Sequence, residues 1–239
     1  MRWRLICPET RDAYWNMALD EAASEALASG LVPPTIRLYL WRPGAVSIGY
    51  FQSLAQEVDR ARCGALGIDI VRRRTGGGAV YHADGGEVTY SVIAPEGLFP
   101  GITESYRLIC GWVLEGLARL GIEGEFRPVN DVLVGGRKIS GSAQTRRGGV
   151  LLQHGTVLYR LDKEKMFFIL RVGKEKLAGK GIERAGEGVT SVSEHSGATL
   201  GELCEALRDG LTKGKDWAPG SWTAWELERA EVLVQKYRD

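Results

Sequence analysis

The chain has 239 residues, 44% hydrophobic and 26% charged, with Lys+Arg 31 against Asp+Glu 30. That length supports one large domain with its own core and no need of a metal or disulfide staple. A formal net charge of +1 excludes a general nucleic-acid coat and a polybasic membrane anchor, so any basic patch has to be local.

The first helix is predicted over "WNMALDEAASEALASG", with Gly30 as its stop. "TIRLYLW" and "AVSIGYF" read as strands joined by the turn "RPG". Residues 55–66 read as a helix, and "IDIVRR" as a short strand running into "TGGG". "EVTYSVIA" alternates Val88, Tyr90 and Val92 with Thr89 and Ser91, the period of a strand. A helix over about 103–120 carries Ile109, Trp112, Val113, Leu117 and Leu120 on one stripe. "VNDVLVGGRKISGSAQ" reads as strand, Gly-Gly turn and strand, and "VLLQHGTVLYRL" as a further strand. Residues 173–190, rich in Gly, Lys and Glu, read as a loop. Thr199 with Glu202 and Thr223 with Glu226 fit capping boxes. The order predicts an α+β domain, a mixed sheet with helices between and after the strands.

Cys7, Cys63, Cys110 and Cys204 form no CxxC pair, so neither a zinc site nor a disulfide framework is expected. The start "MRWRLICPET" has no apolar signal region, and no apolar run is long enough to cross a bilayer; a cytoplasmic protein with reduced thiols is expected.

The stretch that stands out is "RRRTGGGAVYH", residues 72–82. GxxxxGK[ST] and HExxH are absent, and Tyr81 takes the last place of a would-be GxGxxG. Consecutive glycines let backbone approach a ligand and form an anion nest, while Arg72, Arg73 and Arg74 bring donors suited to phosphate or carboxylate. A glycine-rich hairpin with solvated arginines explains the same stretch about equally well. In the second cluster Asn130 and Asp131 precede a strand, Lys138 follows a short hairpin, and Gly141, Ser142 and Ala143 are small. Asp131 has the chemistry to hold Mg²⁺, and Lys138 to place a point charge on a carboxylate or phosphate. His82 and His154 lie beside these small-residue stretches and read as pocket support.

"RRRTGGGAVYH", "PVND", "KISGSAQ" and "HGT", in that order, resemble the lipoate–protein ligase A family, as do "NMALDEA" and "SIGYFQ". The resemblance runs from about residue 12 to about 165 and extends to a superfamily with octanoyltransferases and biotin–protein ligases. It implies a mostly antiparallel mixed sheet flanked by helices, of class II synthetase-like type, forming one catalytic domain over 1–239 without the accessory C-terminal domain of many members. It implies an ATP-dependent ligase that joins lipoate or octanoate to the α-phosphate of ATP with Mg²⁺, then acylates a lysine of a carrier domain. That carrier would belong to a 2-oxoacid dehydrogenase or a glycine-cleavage H-type or related protein, and either a separate accessory subunit would replace the missing domain or the protein would manage without one. Lys138 is implied as catalytic and Asp131 as the metal ligand. The acyl-adenylate would be held by Arg73, Thr75, Gly76, Gly77, Gly78, Ala79, Val80, Tyr81, His82, Asn130, Asp131, Lys138, Gly141, Ser142, Ala143 and His154. No nucleic acid or membrane partner is implied. The alternatives are an octanoyl or lipoyl transferase acting from acyl carrier protein, with or without a cysteine thioester, and a non-catalytic acyl-binding module. Relatives that transfer octanoyl groups without ATP use a cysteine, and here none lies between Cys110 and Cys204.

Overall fold

A computed structural model describes residues 1–171 and 188–238. The segment 172–187, most of the loop expected at 173–190, lies outside the described residues.

The chain runs β1 (Trp3–Arg11), α1 (Ala13–Ala28), β2 (Thr35–Trp41), β3 (Ala45–Ile48), α2 (Leu54–Glu57), α3 (Arg60–Ala65), β4 (Asp69–Arg72), β5 (Val80–His82) and β6 (Glu87–Pro95). It continues with α4 (Ile102–Arg119), β7 (Glu125–Arg127), β8 (Asp131–Val134), β9 (Arg137–Arg147) and β10 (Val150–Leu158). It closes with α5 (Lys163–Ile169), α6 (Leu200–Thr212), β11 (Trp217–Pro219) and α7 (Ala224–Arg238).

Eight strands form one mixed sheet in the order β11-β1-β2-β6-β10-β9-β8-β7, and β4-β3-β5 form a second. In the large sheet β1 runs parallel to β2 and β11, and the other pairings are antiparallel. One face packs on α4 and α6 through Ile36, Leu38, Val88, Tyr90, Ile109, Val113, Leu203 and Leu207, the stripes visible in the sequence. The other face packs on α1, which α7 covers through Ala230, Leu233 and Val234. The small sheet has its own cluster with α5, in which Val46, Ile48, Val58, Tyr81 and Ile169 meet. No helix among the described residues is long and apolar enough to cross a membrane.

Local chemistry accounts for the boundaries. Asp12 caps α1 by accepting from Trp15 N, so the helix begins two residues before the expected tryptophan. Both capping boxes form, and Glu226 also takes two hydrogen bonds from buried Arg4, tying α7 to β1. The helix expected over 55–66 is broken. Val58 is extended and buried, bridging to Leu170, and Asp59 caps a second short helix after it. Burial of one β-branched side chain there outweighs local helix propensity. The polar face of β6 is also buried: Ser91 bonds Asp20 of α1, Thr89 bonds Trp41 and Glu87 bonds His82.

Candidate active site

The registers Glu87–Leu158, Thr89–Thr156–Gly141 and Ser91–His154–Ala143 put these residues on one face of the large sheet. The small sheet lies over that face with Ser47, Val80, Tyr81 and His82. Between the two sheets is a slot of about 330 Å³, mostly apolar, within the usual range for small-ligand pockets. Its floor crosses β6, β10 and β9, two strand spacings or roughly 10 Å.

Thirteen of the sixteen expected residues line this slot: Arg73, Gly77, Gly78, Ala79, Val80, Tyr81, His82, Asn130, Lys138, Gly141, Ser142, Ala143 and His154. Thr75, Gly76 and Asp131 stand behind the lining. The two sequence clusters, some 60 residues apart, therefore meet across one cavity.

Arg73, expected to help hold the acyl-adenylate, has its guanidinium taken up by the protein. Nε donates to Thr75 Oγ1 (3.1 Å), Nη1 to the Ser47 carbonyl (3.0 Å) and hydroxyl (3.1 Å), and Nη2 to the carbonyls of Gly76 (2.8 Å) and Gly78 (2.7 Å). All five N–H directions are filled by protein. Burial pushes its pKa down to about 10, so the buried charge persists at neutral pH. The glycine loop is thus wrapped around its own arginine. Gly77 has φ +94°, and a Cβ there would lie 2.9 Å from Arg73 Nη2; a Cβ on Gly49 would lie 2.0 Å from the Gly77 carbonyl. Gly76 and Gly78 have open space instead, and that of Gly78 faces the slot. Arg72 reaches the carbonyls of Gly49, Tyr50 and Gln52, and Arg74 pairs with Glu21 at 3.2 Å.

A buried relay supports the loop. The Thr75 hydroxyl bonds His154 Nε2 (2.8 Å), and His154 Nδ1 meets Asp20 Oδ2 (3.3 Å). The ionised Asp20 carboxylate can only accept, so Nδ1 carries the proton, and in the neutral ring Nε2 accepts from the Thr75 hydroxyl. Burial pushes the His154 pKa down, and the ring is neutral. Burial works to raise Asp20, but the His154 hydrogen bond and the Arg37 charge outweigh it and hold the carboxyl below its usual range. A second polar line crosses the slot: Ser47 Oγ to His82 Nε2 (2.8 Å) and His82 Nδ1 to Glu87 Oε1 (2.5 Å), with His82 stacked on Trp41 at 3.9 Å. Asp20, Ser47, Trp41 and Glu87 were not singled out from sequence. The available signal was acids within runs that have to be buried, "MALDEAA" and "GEVTYSV".

Lys138 is the one lysine lining the slot among the described residues. Its backbone is clipped to the following segment, N donating to Gly188 O and O accepting from Thr190 N, both at 2.9 Å. Its ammonium rests 2.6 Å from Asp131 Oδ1. Gly141 makes that possible, since a Cβ there would lie 2.6 Å from both Cε and Nζ of Lys138. The other Asp131 oxygen takes Arg127 at 3.0 Å. Asp131, expected as a metal ligand, thus anchors two cations. Among the described residues no cluster of three His, Cys, Asp or Glu could hold an ion. Asn130 clamps strands, its side-chain amide donating to the Ser142 carbonyl while Ser142 N donates to its own carbonyl.

The thiols lie away from this chemistry. Tyr90, Gly155 and Ser142 are in register on the opposite face of the sheet, where the Ser142 hydroxyl bonds Tyr90 OH (2.8 Å) and Cys110 Sγ lies 3.7 Å away. Burial pushes Cys110 up to about 11 and Cys204 up to about 11, and raises Cys7 and Cys63. No cysteine lines the slot among the described residues.

The fold is that of a lipoate–protein ligase catalytic domain. The chain belongs to the lipoyl protein ligase A/B catalytic domain family, whose model matches residues 12–212. It is 40% identical to octanoyltransferase LipM of Kyrpidia tusciae, over 98% of this chain and 96% of that relative. In structure it is similar to a bi-partite lipoate protein ligase of Thermoplasma acidophilum studied with its E2 lipoyl domain, with a TM-score of 0.87 and 30% identity over 99% of this chain and 93% of that one. A lipoate–protein ligase A bound with ATP superposes with a TM-score of 0.84 at 28% identity, over 99% of this chain and 95% of that one. The chain is therefore an enzyme of the lipoate ligase and octanoyltransferase family.

Proposed function

We propose that this protein transfers an octanoyl chain from a carrier-bound thioester to the acceptor lysine of a lipoyl carrier domain. The observation that carries the reading is an acyl-type slot whose charges are already matched: Arg73 is saturated by backbone and hydroxyls, and Lys138 rests on Asp131 at 2.6 Å. A neutral thioester enters such a slot without needing free positive charge. The name octanoyltransferase carried by the LipM relatives supports the octanoyl group, and the neighbour studied with an E2 lipoyl domain supports the acceptor.

The carrier lysine amine attacks the acyl carbon, a C–N bond forms, the C–S bond breaks and the amine proton leaves with the thiol. Negative charge grows on the carbonyl oxygen in the transition state. Lys138 is the group to meet it, held by Asp131 before the reaction so that little reorganisation is needed. The route uses no enzyme thiol, in keeping with the closed cysteines.

Those closed cysteines also favour a second reading, ligation through an acyl-adenylate. There the free acid attacks the α-phosphate of ATP, pyrophosphate leaves, and the carrier lysine then displaces AMP. The neighbour bound with ATP supports it, and the bi-partite neighbour supports adding a second subunit to the assay. Intact mass of a lipoyl domain separates the readings. Acylation with octanoyl carrier protein and no nucleotide upholds the first. Acylation only with free acid, ATP and Mg²⁺, together with pyrophosphate release, replaces it with the second. No gain in either arm, with or without the second subunit, refutes both.

A further inference from the structure

A second cavity, about 580 Å³, opens on the other side of the small sheet. Ser47 lines the slot and the next residue, Ile48, lines this cleft, as alternation along β3 requires. Its walls carry seven cations: Arg73, whose donors are spent on the glycine loop, and Arg60, Arg72, Arg74, Arg147, Lys236 and Arg238. The facing carboxylates are Asp69 in the wall, Glu21 beneath Arg74 and Lys236, and Asp12 at 4.0 Å from Arg238. In a chain of net charge +1, this is a concentrated positive field.

Much of that charge is unspent. Among the described residues Arg60 and Arg147 make no ion pair within 4.0 Å; Arg147 lies over the Tyr50 ring, 4.9 Å from its centroid. Arg72 is tied to carbonyls, which leave its charge in place. Beside the arginines the 49–51 turn exposes Tyr50 (43%) and Phe51 (89%), packed edge to face at 5.0 Å. Exposed arginines with an aromatic anchor are the composition of a protein interface, whereas a small-anion site would bury its cations.

The cleft adjoins the slot through the glycine loop. Arg73 lines both cavities, and Tyr50 N donates to Thr75 O at 2.8 Å, so the loop is a wall one backbone thick. We infer that this cleft docks the acidic surface of the lipoyl carrier domain, with Phe51 as its apolar contact, so that the acceptor lysine is presented at the glycine-loop edge of the slot. The inference rests on the carrier-acylation reading and names the surface that reading leaves unassigned. Charge complementarity fixes the sign of the partner's surface and predicts association that weakens steeply with salt.

The test uses the full chain with Arg60→Glu, Arg147→Glu and both together. Affinity for an acidic, unmodified lipoyl domain is measured by calorimetry at low and high salt, alongside acyl transfer to hydroxylamine from the same donor. The expected result is a Kd raised on the order of tenfold in the double variant at low salt, a flatter salt dependence, and hydroxylamine activity within about twofold of wild type. Arg60→Glu alone, which disturbs no contact of the fold, is expected to move Kd in the same direction. Unchanged carrier affinity overturns the inference, as does hydroxylamine activity lost in proportion, or tight binding of acyl carrier protein with none of the lipoyl domain. Arginine-dependent binding by a wild-type protein that acylates nothing upholds the docking surface and refutes the acyl-transfer reading. Acylation with an unaltered KM in the double variant does the reverse.

Discussion

Replacing Gly141 with alanine asks whether Lys138 works from the place where Asp131 holds it. The new methyl would start 2.6 Å from both Cε and Nζ of Lys138, and an ordinary contact begins at 3.4 Å. The ammonium must therefore withdraw from its 2.6 Å contact with Asp131 Oδ1. A shift of about 1 Å in a group that acts on the transition state costs on the order of 10²-fold in rate, close to 2.7 kcal/mol of barrier. The fold should not suffer, because Gly141 does not have a positive φ and the neighbour that must yield is the end of a flexible side chain. A stability change within about 1 kcal/mol is expected. Initial rates of carrier acylation at saturating acceptor, with thermal midpoints beside them, make the comparison. Lys138→Ala is the reference, losing on the order of 10²-fold or more as one oxyanion-type donor does, and Gly141→Ala added to it should cost nothing further. A Gly141→Ala enzyme within twofold of wild type, or a double variant with additive losses, refutes the claim that this glycine positions the lysine.

Gly77→Val places a side chain at φ +94° against the Arg73 guanidinium; loss of acyl binding by calorimetry is expected with the rest of the sheet intact, and unchanged affinity would remove the loop from the site. A variant with all four cysteines changed to serine or alanine should acylate the carrier at a rate within a few-fold of wild type once folded, although the buried sites cost roughly 1–2 kcal/mol each; a folded but inactive variant, with an acyl-enzyme trapped in wild type, restores the thioester route. His154 is neutral in the fold with a pKa below its unfolded value near 6.5. The unfolded state binds the extra proton, so stability is full above about pH 6.5 and falls as pH drops below it. Denaturant unfolding over a pH series should show that decline in wild type and a flatter one in His154→Gln; equal slopes would mean the ring titrates alike in both states. Asp20 and Glu226, both lowered, add a second loss below about pH 4.5.

The elements legible in the sequence were those whose burial and local propensity agree. The α4 and α6 stripes and the two capping boxes appear where the spacing put them. What failed was decided by long-range contacts. Val58 is pulled out of a helical stretch by Leu170, more than a hundred residues on. The small sheet was hidden because β5 is three residues long and its residues pair with β3 residues 33 to 37 positions earlier. Within the site, glycines and lysine were legible from type and spacing, but hydrogen-bond direction was not. Three adjacent arginines read as one patch, yet Arg73 turns in to hold the glycine loop between the slot and the cleft, while Arg72 and Arg74 face the basic cleft.

That division bears on which donor the slot can take. An ATP-dependent first step brings a carboxylate and a triphosphate together, two anions that repel strongly in a partly dry cavity. It requires cationic donors that are free when the substrates arrive. Here the inner arginine has spent its hydrogen bonds on Ser47, Thr75, Gly76 and Gly78. Lys138 is balanced by Asp131, and that aspartate is further balanced by Arg127. The unspent positive charge lies beyond the small sheet, where a protein surface can reach it. A thioester donor asks for charge stabilisation only as the tetrahedral oxyanion forms, and a pre-positioned ammonium on a short tether from Asp131 answers that demand late in the reaction rather than at binding. Under the proposed function, charge placement and the LipM likeness both support octanoyl transfer, and the burial of the thiols supports passage directly from donor to acceptor lysine.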